Sequence, residues 1–169
     1  MNTPILEDQL VSELWAWAVR FLMGRQFSAT PLLTPANLMA ALAQSTNARV
    51  RFSLIPFFLR HPEFSTEVEN ADKFLSSQIN QYVLRFYYTA AVFLQRKYQE
   101  RLMHILGKQT QLPDLFSSKL GFSPEINPEQ ALAQLAKRHQ ILSGQFVNWL
   151  GTYEHAAEVW LKQMELQKA

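Results

Sequence analysis

A chain of 169 residues, 48% hydrophobic and 18% charged, is long enough for one domain with its own core and too apolar for a disordered tail. Its formal net charge of +2 is too small to signal nucleic acid by itself, and the complete lack of cysteine removes disulfides, thiolate metal sites and a cysteine nucleophile together. No apolar run approaches the ~20 residues of a membrane span, and no basic stretch followed by an apolar one marks a signal peptide. The expectation is a cytoplasmic chain that does not enter a membrane.

Helical periodicity dominates from the start. Leu6, Leu10, Leu14, Ala18 and Phe21 recur at helical spacing, and Gly24 is a stop signal, so a first helix is expected over about 6–23. Trp15, Trp17 and Val19 make its second half apolar all round, while Glu7, Asp8 and Glu13 give it an acidic polar face unsuited to membrane binding. Thr34-Pro35 caps a short helix ending near Ser45. A further helix is expected over about 47–59, with Pro56 either kinking it or lying in the first turn of a helix capped by Ser53, and His61-Pro62 ends it. Ser65-Thr66-Glu67 starts a long pattern that runs to Leu106 with Gly107 as its stop, with a break foreseen near Asn70 to Ser77. Leu75, Ile79, Tyr82, Phe86, Ala90, Phe93 and Leu94 form its apolar stripe.

Residues 108–127 form an irregular connector with a helical turn expected at Asp114 to Leu120, and Asn127-Pro128-Glu129 starts a helix that reaches about Ile141. After Gly144, Phe146, Leu150, Tyr153, Ala157, Trp160, Leu161 and Met164 mark a last amphipathic helix. No segment alternates with period two. The reading is therefore an all-α, single-domain bundle of about five to seven helices over residues 1–169, with one long central helix.

Charge is distributed unevenly. Arg49, Arg51 and Arg60 lie in a stretch without acids, and Arg85, Arg96, Lys97, Arg101 and Lys108 are opposed only by Glu100. Lys97, Arg101, His104 and Lys108 share one helical face, a pattern that suits either a phosphate backbone or an acidic protein partner, and that the helix dipole also favours at a C-terminus. Phe57 and Phe58 beside Arg60 could stack bases, although core packing explains them as well. Trp15, Trp17, Trp149, Tyr153 and Trp160 concentrate toward the chain ends and are candidate interaction anchors.

No catalytic motif stands out. The four histidines lack metal-site spacing, and no glycine loop cradles phosphate. The Arg–His spacing of small helical ribonucleases is absent, since Arg96 is too far from His104 and Arg101 too near. No cofactor or metal is expected. The fifteen glutamines replace charge on helical surfaces, as at surfaces covered by a partner. The expected role is a non-catalytic helical interaction or regulatory subunit of a larger protein assembly, bound to a protein partner or a second copy. The alternative is a small helical subunit that binds RNA or single-stranded DNA backbone within a ribonucleoprotein complex.

Overall fold

Side-chain caps set several helix starts. Thr34 Oγ1 accepts from the Asn37 N–H at 3.2 Å and opens α2 (Pro35–Gln44), and Asn127 Oδ1 accepts from the Glu129 and Gln130 N–H groups at 2.9 and 3.1 Å and opens α9 (Pro128–Ser143). The computed structural model describes residues 5–168, so the terminal parts of the expected 1–169 domain lie outside the described residues. Among these residues there is no strand, and the remaining helices are α1 (Glu7–Ala16), α3 (Ala48–Phe52), α4 (Leu54–Arg60), α5 (Val68–Phe74), α6 (Gln78–Lys97), α7 (Gln99–Leu106), α8 (Ser117–Leu120) and α10 (Trp149–Lys168). A 3-10 segment, Pro62–Glu67, joins α4 to α5. The α3–α4 pair is interrupted at Ser53, three residues before Pro56, whose missing N–H cannot continue the ladder. The α6–α7 pair bends at Tyr98, and α8 is a single turn, so among the described residues, counting each of the two interrupted pairs once and leaving out α8, the fold is an all-α bundle of seven helical segments around one core.

α6 is the central helix. From Phe86 to Gln95 it is buried on every side, packed by α2, α4, α9 and α10. The pattern that continues from Ser65 to Leu106 is broken at Leu75–Ser77, within the foreseen stretch. The break lets α5 fold back so that Asp72 accepts two hydrogen bonds from Arg85, at 3.0 and 2.9 Å, across thirteen residues of sequence. An unbroken helix would hold those residues about 20 Å apart. The connector after α7 is irregular but not loose: Leu112 and Phe116 are buried in the core, and Tyr88 donates from its hydroxyl to the Pro113 carbonyl at 2.6 Å.

The first helix departs from its sequence pattern. α1 ends at Ala16, not near Met23, because Ala18 adopts a left-handed conformation at φ 63°. The Val19 N–H then reaches the Leu14 carbonyl at 2.8 Å and the Ala18 N–H the Trp15 carbonyl at 3.0 Å, while buried Val19 packs near buried Leu14. This is a Schellman closure with alanine where glycine is the usual occupant. Gly24 is not a helix stop. A Cβ there would sit 2.4 Å from Val11 Cγ1, so glycine is needed because the chain lies directly on α1. Glu13 does not belong to a solvated acidic face either, since it is buried and its carboxylate accepts from the backbone N–H groups of Leu32 and Leu33. Ala18→Gly is expected to raise the stability of the fold by about 0.5–1 kcal/mol, because the relief of left-handed strain exceeds the entropy that glycine adds to the unfolded chain. Urea unfolding reads this as a higher midpoint at unchanged slope, and a lower midpoint would contradict the assigned backbone conformation.

α10 begins at Trp149 because Asn148 Oδ1 accepts from the Gly151 N–H at 3.0 Å. Phe146 therefore stands outside the helix and is exposed, with Ile141 and Val147 exposed beside it in sequence. No helix among the described residues is long and apolar enough to cross a membrane.

Candidate functional site

Helical spacing places Lys97, Arg101 and His104 on one face, and the tertiary fold brings the acidic face of α10 against it. Lys97 Nζ lies 2.6 Å from Glu154 and 3.8 Å from Glu129, and Arg101 lies 2.7 Å from Glu158 and 2.6 Å from Glu165. Burial opposes the charge on Lys97, but the Glu154 hydrogen bond and the neighbouring acids outweigh it and raise its pKa. The Glu165 hydrogen bond, against some burial, likewise raises Arg101. The His104 carbonyl accepts from Lys168 Nζ. Lys97 and Arg101 are matched within the molecule, and as partly exposed pairs they contribute little stability.

Lys108 leaves this face. α7 ends at Leu106, and Gly107, at φ 76°, turns the chain back along α6 and α7. Gln95 holds the returning connector with both ends of its carboxamide, donating to the Thr110 carbonyl at 2.9 Å and accepting from the Leu112 N–H at 2.8 Å. Between helix and connector lies a groove of about 300 Å3, with Leu102 and Met103 as apolar lining, Gln99 and Gln111 as polar lining, and Arg96 and Lys108 as its two cations. No acidic residue lines it. The Arg96 guanidinium lies over the Phe93 ring at 5.7 Å, and its Nε is shielded from solvent without a partner.

The other basic candidates separate. Arg51 donates to the Ser45 carbonyl at 2.8 Å, and exposed Arg49 lies in the first turn of α3. Phe57 and Phe58 are fully buried, which removes them as base-stacking surfaces. Arg60, at the end of α4, meets Arg20, Trp160 and Gln163 at a second cleft, of about 220 Å3.

The candidate anchors do not form one aromatic wall. Trp17 packs edge-on against Phe64 and His61, with ring centroids 4.9 and 5.7 Å away, and its carbonyl faces His61 Nε2. Trp15 is half-buried and donates its indole N–H to the Leu22 carbonyl at 2.9 Å. Trp149, Tyr153 and Trp160 are buried, so they build the core and do not present themselves to a partner. The Trp149 and His139 rings stack at 3.6 Å, His139 stacks on Phe86 at 4.1 Å, and His139 Nδ1 meets the Tyr153 hydroxyl at 2.5 Å.

Of the residues that line these two clefts, the sequence pattern singles out Arg96, Lys108, Arg60 and Trp160 but not Arg20, Gln99, Gln111 and Gln163, none of which carries a local signal beyond polarity. Among the described residues no group of three or more His, Asp or Glu side chains could hold a metal ion. Comparison with protein-family models, with curated proteins and with solved structures finds no match to this chain.

Proposed function

We propose that this chain is a non-catalytic helical interaction subunit that receives an extended, acidic segment of a protein partner in the groove beside α7. The observation that carries this reading is the composition of the groove: two cations unopposed by any acid, uncommitted carboxamides and an apolar lining. Glutamine side chains carry the same donor and acceptor groups as a peptide backbone and can pair with one. Arg96 and Lys108 supply attraction for carboxylates, and half-exposed Met103 offers an adaptable apolar contact. The exposed Ile141, Phe146 and Val147 add a second surface that a larger assembly could cover.

The nucleic-acid reading has less support, because Lys97 and Arg101, the centre of the expected basic stripe, are already paired with acids of α10. Photoreactive phenylalanine in place of Met103 tests the interaction reading in the native host cell. One discrete protein adduct is expected, and Lys108→Glu with Arg96→Gln is expected to abolish it. The reading fails if position 103 gives no protein adduct and the purified chain sediments as a monomer at every concentration. Salt-sensitive binding of labelled single-stranded RNA or DNA that is lost in Lys108→Glu would instead turn the groove toward a phosphate backbone.

A further inference from the structure

The second cleft lies where the end of α1, the end of α4 and the second half of α10 converge. Its lining is rich in donors. Arg20 and Arg60 bring two guanidiniums, and Gln163 and Gln167 bring carboxamides from successive turns of α10. Trp160 also lines it, and its indole N–H, shielded from solvent in a side chain only 1% exposed, has no hydrogen-bond partner. Arg60 Nε is likewise shielded and unpartnered. No acidic residue lines the cleft, and among the described residues no carboxylate lies within 4.0 Å of either guanidinium.

Shielded donors such as the Trp160 indole N–H and Arg60 Nε–H are costly unless an acceptor meets them. The Arg20 guanidinium rests over the Trp15 ring at 5.4 Å, and the Trp15 indole donates to the Leu22 carbonyl. Ala18, the only non-glycine residue with positive φ among the described residues, also lines the cleft. Backbone strain of this kind concentrates at binding sites.

We propose that this cleft binds the phosphate of a small phosphomonoester, with Arg20 and Arg60 gripping its oxygens. The donors come from three separate elements, an arrangement that matches the several oxygens of a tetrahedral dianion better than one planar carboxylate. A volume of about 220 Å3 is below the usual range for whole drug-sized ligands, so the site takes the phosphate and a short tail, with Met164 as the apolar contact. This proposal is independent of the partner groove, which lies on α7.

The test follows the Trp160 indole N–H resonance in 15N-labelled protein, assigned by its loss in Trp160→Phe, during titration with inorganic phosphate and with methyl phosphate at constant ionic strength. A saturable shift is expected with both, and none with acetate or chloride. Arg20→Gln and Arg60→Gln should each weaken binding by about tenfold or more, as the loss of a charge-assisted bidentate contact requires. Arg20 is exposed, so its variant keeps the fold, and Arg49→Gln should bind like the parent. The proposal is overturned by the absence of a saturable shift, or by one unaffected in both arginine variants. A phosphoserine peptide that binds at least tenfold tighter than methyl phosphate would overturn the assignment to a small ligand.

Discussion

Glu13→Ala is expected to lower folding stability by about 3 kcal/mol, a large effect for one surface-length side chain. Glu13 is 4% exposed, and its carboxylate accepts from Leu32 N–H with both oxygens, at 2.9 and 3.0 Å, and from the Leu33 N–H as well. A hydrogen bond to a charged group contributes about 1.5–3 kcal/mol, and its removal strands the donors. With Ser12 Oγ, which accepts from the Phe27 N–H at 2.8 Å, Glu13 binds the irregular segment after α1 onto that helix. Glu13→Gln keeps one acceptor but sets an NH2 against an N–H, so about 1–2 kcal/mol is expected. Urea unfolding measures both. Tryptic cleavage after Arg20 and Arg25 should accelerate by more than the loss of global stability alone explains, because the segment detaches first. Equal stability and equal cleavage in Glu13→Ala would refute this role.

Acidification supplies the second large effect. His139 is stacked between Phe86 and Trp149 and buried, and burial pushes its pKa down from 6.5 to about 3. Between those values the unfolded chain binds a proton that the folded chain refuses. The contribution of His139 is therefore fully present above about pH 6.5 and declines by about 1.4 kcal/mol per pH unit as the pH falls toward the folded value. At pH 5 the protein should be about 2 kcal/mol less stable than at pH 7 through this group. The comparison is between the parent and His139→Phe, so that every contribution common to the two chains cancels. The variant is less stable at pH 7, because the Tyr153 hydroxyl loses its partner, yet loses much less on acidification. Parallel pH profiles for the two would show that His139 titrates normally and that the stacked environment does not exclude its charge.

Local chemistry made much of the fold legible. Thr34-Pro35 and Asn127-Pro128 open α2 and α9 where their caps and prolines indicate, and His61-Pro62 closes α4. Each signal acts within one helical turn. The misjudged boundaries have another origin. Periodicity carries α1 through Ala18 because alanine favours helix, whereas the burial of Val19 drives the chain into a left-handed turn that alanine disfavours. Phe146 fits the stripe of α10, but the Asn148 cap starts that helix after it.

The candidate sites divide along the same line. Sequence alone determined an all-helical chain without cysteine, most of its cap positions and the existence of a basic face on the segment ending at Leu106. Only the tertiary structure decided which charges remain available. Lys97 and Arg101 meet acids about sixty residues away in sequence, Lys108 is turned into a groove by Gly107, and Arg60 is carried beside Arg20 and Trp160. Helix propensity and capping depend on neighbours a few residues apart, so they can be read from a string. Charge compensation and burial depend on distances in space, and those are set by which helix faces pack together.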